Sequence, residues 1–301
     1  MAGRRPAASA APDARSTTVV RDRASLAAAL AELPRPIGFV PTMGALHAGH
    51  ESLLHRAREE CASVVASIFV NPTQFGPHED LERYPRDEHG DLALMGSAGV
   101  DVCFAPPVDE VYPAGASTSV DVGSVGEVLE GAVRPGHFRG VATVVTILFA
   151  LVHPERAYFG QKDGQQAFVV RRLVRDLGLS PQIVICPTVR EADGLALSSR
   201  NAYLSAAERA AAPVLSRALR AAEHAYEGGE RSARALRGLM REELERERML
   251  EIDYVSVADA DSLAELKEVA DPALASLAVR FPSARLIDCL PLGDPGRAGL
   301  R

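Results

Sequence analysis

Between residues 36 and 189 short apolar runs alternate with stretches of helical period, and this alternation constrains the fold more tightly than any single motif. The run "PIGFVPT" (36–42) has the length of a strand, and "HESLLHRAREECA" (50–62) repeats apolar residues at helical spacing. "SVVASIFVNPTQF" (63–75) opens as a β-branched, nearly continuous apolar run, the pattern of a strand covered on both faces, so the three segments make a βαβ unit. A helix over 88–98, the strand "VDVCFAP" (100–106), an apolar helix over 140–152 and the strand "RAYFG" (156–160) continue the series. It closes with the amphipathic "QQAFVVRRLVRDLGL" (165–179), ending near Gly178, and the strand "QIVICPTV" (182–189). Strand and helix in strict alternation predict an α/β fold with a doubly wound parallel sheet and right-handed connections.

The texture changes after Arg190. A polar loop, "EADGLALSSRN", leads to two alanine- and arginine-rich helical stretches separated by "EGGE" (227–230), then to strands at 252–259 and 284–290. Helices followed by strands with no room for crossovers predict a smaller C-terminal α+β domain with an antiparallel sheet. The expected division is a disordered tail over 1–16, a nucleotide-binding catalytic domain over 17–188 and a lid domain over 189–301.

A formal net charge of −7 and a pI near 5.7 argue against nucleic acid as a partner, though an acidic surface tolerates a local basic pocket for one nucleotide. The longest apolar run, "VATVVTILFALV", falls short of the ~18 residues a membrane span needs, and no apolar core follows the N-terminal arginines as a signal peptide requires. Four scattered cysteines without a CxxC pair suit buried thiols in a reducing compartment, so the expected location is the cytoplasm.

The chemistry sits at predicted strand ends. "PTMGALHAGHESLL" (41–54) places His47 and His50 on a strand-to-helix turn, where Gly49 permits close backbone approach and the helix N-terminus offers free N–H groups to phosphate. Two imidazoles on one face can donate to a triphosphate as its charge grows; one histidine capping the helix while the other packs is an equally open reading, and a shared metal ion a third. "FGQKDGQQ" (159–166) gathers Lys162, Asp163, Gln165 and Gln166. Only two of the 33 basic residues are lysines, Lys162 and Lys267, which draws attention to Lys162 as a mobile charge for phosphate. Asp163 can hold a ribose or orient that lysine, and a solvated helix start explains the same residues. "DGLALSSRN" (193–201) supplies Ser198, Ser199 and Arg200 on a loop able to close over phosphates or, alternatively, to cap a helix. "NPTQF" presents Asn71 and Gln74, and "RPGHFRGV" (134–141) presents Arg134 and His137. Carboxylates in "EDLERYPRDEHGD" (79–91) suit magnesium, although most read as a solvated face.

Taken in order, PTMGALHxGH, FVNPxQF, YPR, RPxHFxGV, FGxKDxQQ and VREADGLAxSSRN resemble the pantoate–β-alanine ligase (pantothenate synthetase) family, densely over residues 36–205. The resemblance implies a Rossmann-like member of the HIGH nucleotidyltransferase superfamily, a cytoplasmic homodimer that uses ATP and Mg2+ to condense pantoate with β-alanine through a pantoyl adenylate. It puts ATP against Met43, Gly44, Ala45, Leu46, His47, Ala48, Gly49 and His50, against Gly160, Gln161, Lys162 and Asp163, and against Val189, Leu197, Ser198, Ser199 and Arg200. His50 takes the place of the proton donor, while His47 and Lys162 stabilise phosphate charge. Because the pantoate carboxylate is already ionised, His50 reads here mainly as an electrostatic donor. Gln74 and Gln166 would hold pantoate, with Pro41, Asn71 and Arg134 beside them. Three positions depart from the family pattern: Ala48 and Gln161 stand where glutamates are usual, and Gly90 stands where many members have an acid, leaving Asp91 as the magnesium candidate. The rivals are another adenylyltransferase of the superfamily, a nucleotide-binding regulatory module without turnover, and a structural metal site on His47, His50 and His55.

Overall fold

The structure, a computed structural model, describes residues 16–77, 79–269 and 272–293; the expected tail over 1–16 lies, apart from Ser16, outside the described residues. The chain opens with β1 (Thr18–Val20) and α1 (Arg23–Ala31), then runs β2 (Ile37–Thr42), α2 (Ala48–Glu60), β3 (Ser63–Ile68), α3 (Glu88–Ser97) and β4 (Val102–Phe104). Two short turns, α4 (Val108–Val111) and α5 (Glu130–Val133), precede α6 (His137–Val152), β5 (Arg156–Gly160), α7 (Gly164–Leu177) and β6 (Gln182–Cys186). The remainder comprises α8 (Ala206–Ala211), α9 (Val214–Glu227), α10 (Ala233–Glu245), β7 (Glu251–Asp259), β8 (Ala273–Arg280) and β9 (Arg285–Leu292).

The first six strands form one parallel sheet in the order β1-β4-β3-β2-β5-β6. Ile37, Phe39 and Val40 of β2, and Val64, Val65 and Ala66 of β3, are fully buried, as expected for strands with helices on both faces. From β2 the chain steps outward to β3 and β4, then returns to lay β5 on the other side of β2. The strand order therefore reverses between β2 and β5, and a crevice opens at their carboxyl ends. Helix α6 is buried along most of its length against this sheet, which explains why its sequence is apolar nearly all round. Gly178, at φ 61°, closes α7 in the left-handed conformation expected of it.

The last three strands form an antiparallel sheet, β7-β8-β9. Leu215, Leu219, Leu236, Met240 and Leu244 from α9 and α10 cover one face, packing on Val257, Leu277 and Val279. Leu274 and Cys289 belong instead to the large core around the parallel sheet, so the small sheet is packed against the first by its other face. The α/β class and the small α+β region are as the sequence predicts. Several elements had no counterpart in the sequence pattern: β1, α1, the short turns α4 and α5, and the central strand β8, whose run "ALASLAVR" lacks any polar alternation because all but its last residue are buried.

Candidate active site

The turn between β2 and α2 is set by two left-handed residues and by two side chains that hold them. Gly44 (φ 82°) and Ala45 (φ 52°) both adopt left-handed conformations, which is a strained state for the alanine. Asp91, on α3 and only 3 % exposed, pins them by accepting hydrogen bonds from the Ala45 N–H (2.9 Å) and the Leu46 N–H (2.6 Å). The Ser199 hydroxyl donates to the Ala45 carbonyl at 2.9 Å, tying the later serine loop to the same turn. Asp91 was expected as a magnesium ligand; the structure gives it another task, since both oxygens are committed to backbone donors and it lies outside the cavity lining. Among the described residues no group of three or more His, Cys, Asp or Glu side chains is placed to hold a metal, so neither a magnesium cage nor the rival structural site on His47, His50 and His55 is built.

Helix α2 then starts with a capping box made of two imidazoles. The Gly49 N–H donates to Nδ1 of His47 (3.1 Å) and the His47 N–H donates to Nδ1 of His50 (3.3 Å), with the rings 4.1 Å apart. The two readings left open by the sequence are thus compatible. Both histidines cap the helix through Nδ1, and the hydrogen each ring carries is placed on Nε2. Burial holds both rings neutral: it lowers His47 to about 4, helped by the Lys162 charge, and His50 to about 3, helped by the neighbouring imidazole.

Across the sheet reversal, residues 161–163 form a helical turn at the end of β5. The Lys162 ammonium lies 3.2 Å from Asp163, its side chain 18 % exposed. Burial pushes the Asp163 carboxyl up, but the charge and hydrogen bond of Lys162 outweigh it and keep the acid below its usual range. The turn is seated on the small sheet: the Cys289 thiol donates to the Gln161 carbonyl at 2.9 Å, and a Cβ on Gly164 would meet that sulfur at 2.8 Å.

A third strand end, that of β3, carries a closed polar network. Asn71 donates to Gln74 (3.0 Å) and to the Gly140 carbonyl (3.2 Å), and accepts from Tyr112 (2.8 Å). Gln74 in turn reaches the Met43 sulfur at 3.1 Å. Arg134 makes a two-pronged pair with Glu79 (2.8 and 2.6 Å) and approaches Nε2 of His137 at 3.1 Å; Nδ1 of His137 donates to the Gln74 carbonyl at 2.8 Å. Burial and the Arg134 charge hold His137 neutral, at about 4. Arg200 likewise pairs with Asp80 through two bonds (2.9 and 3.0 Å) and lies over the Tyr84 ring. Glu79 and Asp80 are therefore not the solvated face their sequence context suggested; each neutralises a half-buried arginine.

All of this encloses one cavity of about 850 Å3, lined by Pro41, Met43, His47, Gly49, His50, Asn71, Gln74, Arg134, Gly160, Lys162, Asp163, Gln166, Val189, Leu197, Ser198, Ser199 and Arg200 among others. Ligand pockets commonly fall between roughly 300 and 1,000 Å3. Gly44, Ala45, Leu46, Ala48 and Gln161, expected against the nucleotide, do not line it; they shape the turns behind it. The lining also takes in residues that no local motif announced. Glu79, Asp80 and Tyr84 sit in a charge-rich loop, where an acid matched to each isolated arginine was the available signal. Tyr254, Ser276 and Arg285 come from the small sheet and had no signal at all.

A family model described as Pantoate-beta-alanine ligase matches residues 17–291. The chain belongs to that family. It is 61 % identical over 253 residues to the pantothenate synthetase of Chloroflexus aggregans, covering 84 % of this chain and 91 % of the relative. The crystal structure of pantothenate synthetase from Thermus thermophilus superposes with a TM-score of 0.89 at 51 % identity, covering 92 % of this chain and all of that one. A pantoate-beta-alanine ligase from Francisella tularensis, complexed with beta-gamma ATP and beta-alanine, matches with a TM-score of 0.76 at 32 % identity over 91 % of this chain and 97 % of its own.

Proposed function

We propose that the chain condenses pantoate with β-alanine at the expense of ATP, giving pantothenate, AMP and pyrophosphate. The reaction runs in two displacements. A pantoate carboxylate oxygen attacks the α-phosphorus of ATP, and the bond to the bridging oxygen breaks, releasing pyrophosphate and leaving pantoyl adenylate. The β-alanine amine then attacks the acyl carbon, the acyl–phosphate bond breaks to release AMP, and the amine loses its proton to solvent or buffer. The chain contributes positioning and charge stabilisation, and no covalent bond to the protein forms.

The observation that supports this reading best is the pair of neutral imidazoles held with Nδ1 occupied, which leaves each ring's hydrogen on Nε2, with His47, His50 and Lys162 all lining the cavity at the sheet reversal. Such fixed donors strengthen as negative charge builds on a departing pyrophosphate, with no reorganisation at the moment of reaction. Ser198, Ser199 and Arg200 are proposed as the remaining phosphate contacts. Gln74 and Gln166 are proposed for pantoate, with Pro41 and Asn71 forming the wall. Gln166 is half-buried and lines the cavity. Arg134 is a different case: Arg200 pairs with Asp80 through Nε and Nη2 only, whereas all three guanidinium nitrogens of Arg134 are engaged, two by Glu79 and Nη1 by His137, and we assign it the shape of the pocket.

The donor set does not build a protein magnesium site, and no step is routed through the ion; we propose that magnesium enters as the counter-ion of ATP. Residues 17–188 are proposed as the catalytic domain and 189–301 as a lid, and the family resemblance supports a homodimer. No helix among the described residues is long and apolar enough to cross a membrane; consumption of ATP and four free cysteines support the cytoplasm as the compartment.

Pantoate-dependent exchange of labelled pyrophosphate into ATP, with β-alanine omitted, tests the first displacement. Exchange is expected; ATP binding without exchange would point instead to a nucleotide-binding module or a different acid.

A further inference from the structure

Gln165 precedes the proposed pantoate ligand Gln166 on the first turn of α7, yet its amide is wholly occupied by the backbone of a distant segment. Its Oε1 accepts from the Glu130 N–H at 3.0 Å, and its Nε2 donates to the Val125 carbonyl (3.0 Å) and the Val128 carbonyl (2.8 Å). Only a carboxamide supplies one acceptor and two donors in this arrangement; a carboxylate would face two carbonyls, and an ammonium has no acceptor. The wrapped segment is strained and tight. Leu129 sits at φ 50°, and a Cβ at Gly131 would fall 1.9 Å from the Gly126 carbonyl oxygen. Its outer side is held by Arg285 of β9, which grips the buried Glu130 carboxylate with two bonds of 2.7 and 2.8 Å. One helical turn further on, the Arg134 N–H donates to the Glu130 carbonyl at 2.8 Å, so the segment delivers Arg134 to the wall containing Gln74.

We propose that Gln165 is a positioning residue for the acid pocket, fixing residues 125–134 so that Arg134 and Gln74 stand at the correct distance from Gln166. This rests on the assignment of pantoate to Gln74 and Gln166. Strain at Leu129 is sustained because the Gln165 amide and the Arg285 guanidinium hold the segment from both sides. Removing the amide lets the segment relax and widens the acid pocket, while the histidine cap and the Lys162 turn, which make no contact with it through hydrogen bonds, keep their geometry.

The test compares Gln165→Met, which fills the same space without hydrogen bonds, with Gln165→Glu in the pyrophosphate exchange assay. The methionine variant is expected to raise the pantoate KM on the order of tenfold, with the ATP KM changed less than about twofold. The glutamate variant restores an acceptor and one donor when protonated, so its pantoate KM should fall toward the parent value as pH is lowered, a dependence the parent lacks. Gln74→Ala and Gln166→Ala serve as controls. If they leave the pantoate KM unchanged, the pocket assignment itself fails; if they raise it while Gln165→Met, folded, does not, the positioning role alone is overturned. Equal rises in both KM values, or a glutamate variant with a flat pH response, would also overturn it.

Discussion

The two ends of the cavity are built on opposite plans. At the sheet reversal, His47, His50 and Lys162 use one side of each group to hold the turn and leave the other side available. At the Asn71, Gln74 and Arg134 end, polar groups are tied to one another so thoroughly that a ligand meets a finished surface with few open donors. The difference follows from what each end handles. A phosphate chain whose charge grows during reaction needs donors whose strength is realised late, whereas a small hydroxy acid needs a recess of fixed size.

Removing an open donor should therefore have the largest effect. Lys162→Ala and His50→Ala are each expected to slow pyrophosphate exchange by on the order of 10²-fold or more, with the circular dichroism spectrum preserved; near-parent rates would erase the contrast. Disturbing the closed end should matter less and fall on binding. Glu79→Gln weakens the two-pronged hold on Arg134 and is expected to raise the pantoate KM by about tenfold, leaving kcat within a few-fold, because a charged hydrogen bond of roughly 1.5–3 kcal/mol is exchanged for a neutral one. Equal loss in kcat would show that this end also takes part in the chemical step.

The smallest effect is expected from pH. With His47 near 4 and His50 near 3 in the folded chain, the exchange rate should show no histidine limb around 6.5. Stability should respond instead: both values lie below the ordinary 6.5, so the unfolded chain binds more protons beneath that pH. Stability is fully present above about 6.5 and declines as pH falls toward 4 and 3, which urea titrations at successive pH values can follow. A rate limb near 6.5 would mean that the imidazoles are not held as the cap requires.

Much of the first end could be read from the sequence because its chemistry is local. The glycines, histidines and lysine lie within a few residues of a strand end, and strand ends are legible from apolar runs. The pairing of Arg200 with Asp80, and of Arg134 with Glu79, joins residues 120 and 55 positions apart, and an acid in a charge-rich loop looks the same whether it is solvated or meets a half-buried guanidinium. The strand β8 escaped for a related reason. Buried on both faces between β7 and β9, it carries no polar alternation, and alanine-rich "ALASLAVR" has as much helical as strand character until its neighbours are known.

The two-imidazole cap makes the first turn of α2 and the protonation state of the site a single event. Fraying of that turn would free both Nδ1 atoms, expose the rings and return them toward ordinary titration, so each imidazole records whether the helix has closed. The ring nitrogen chemical shifts of His47 and His50 are thus a local thermometer for this turn, legible in mildly acidic buffer without any substrate present.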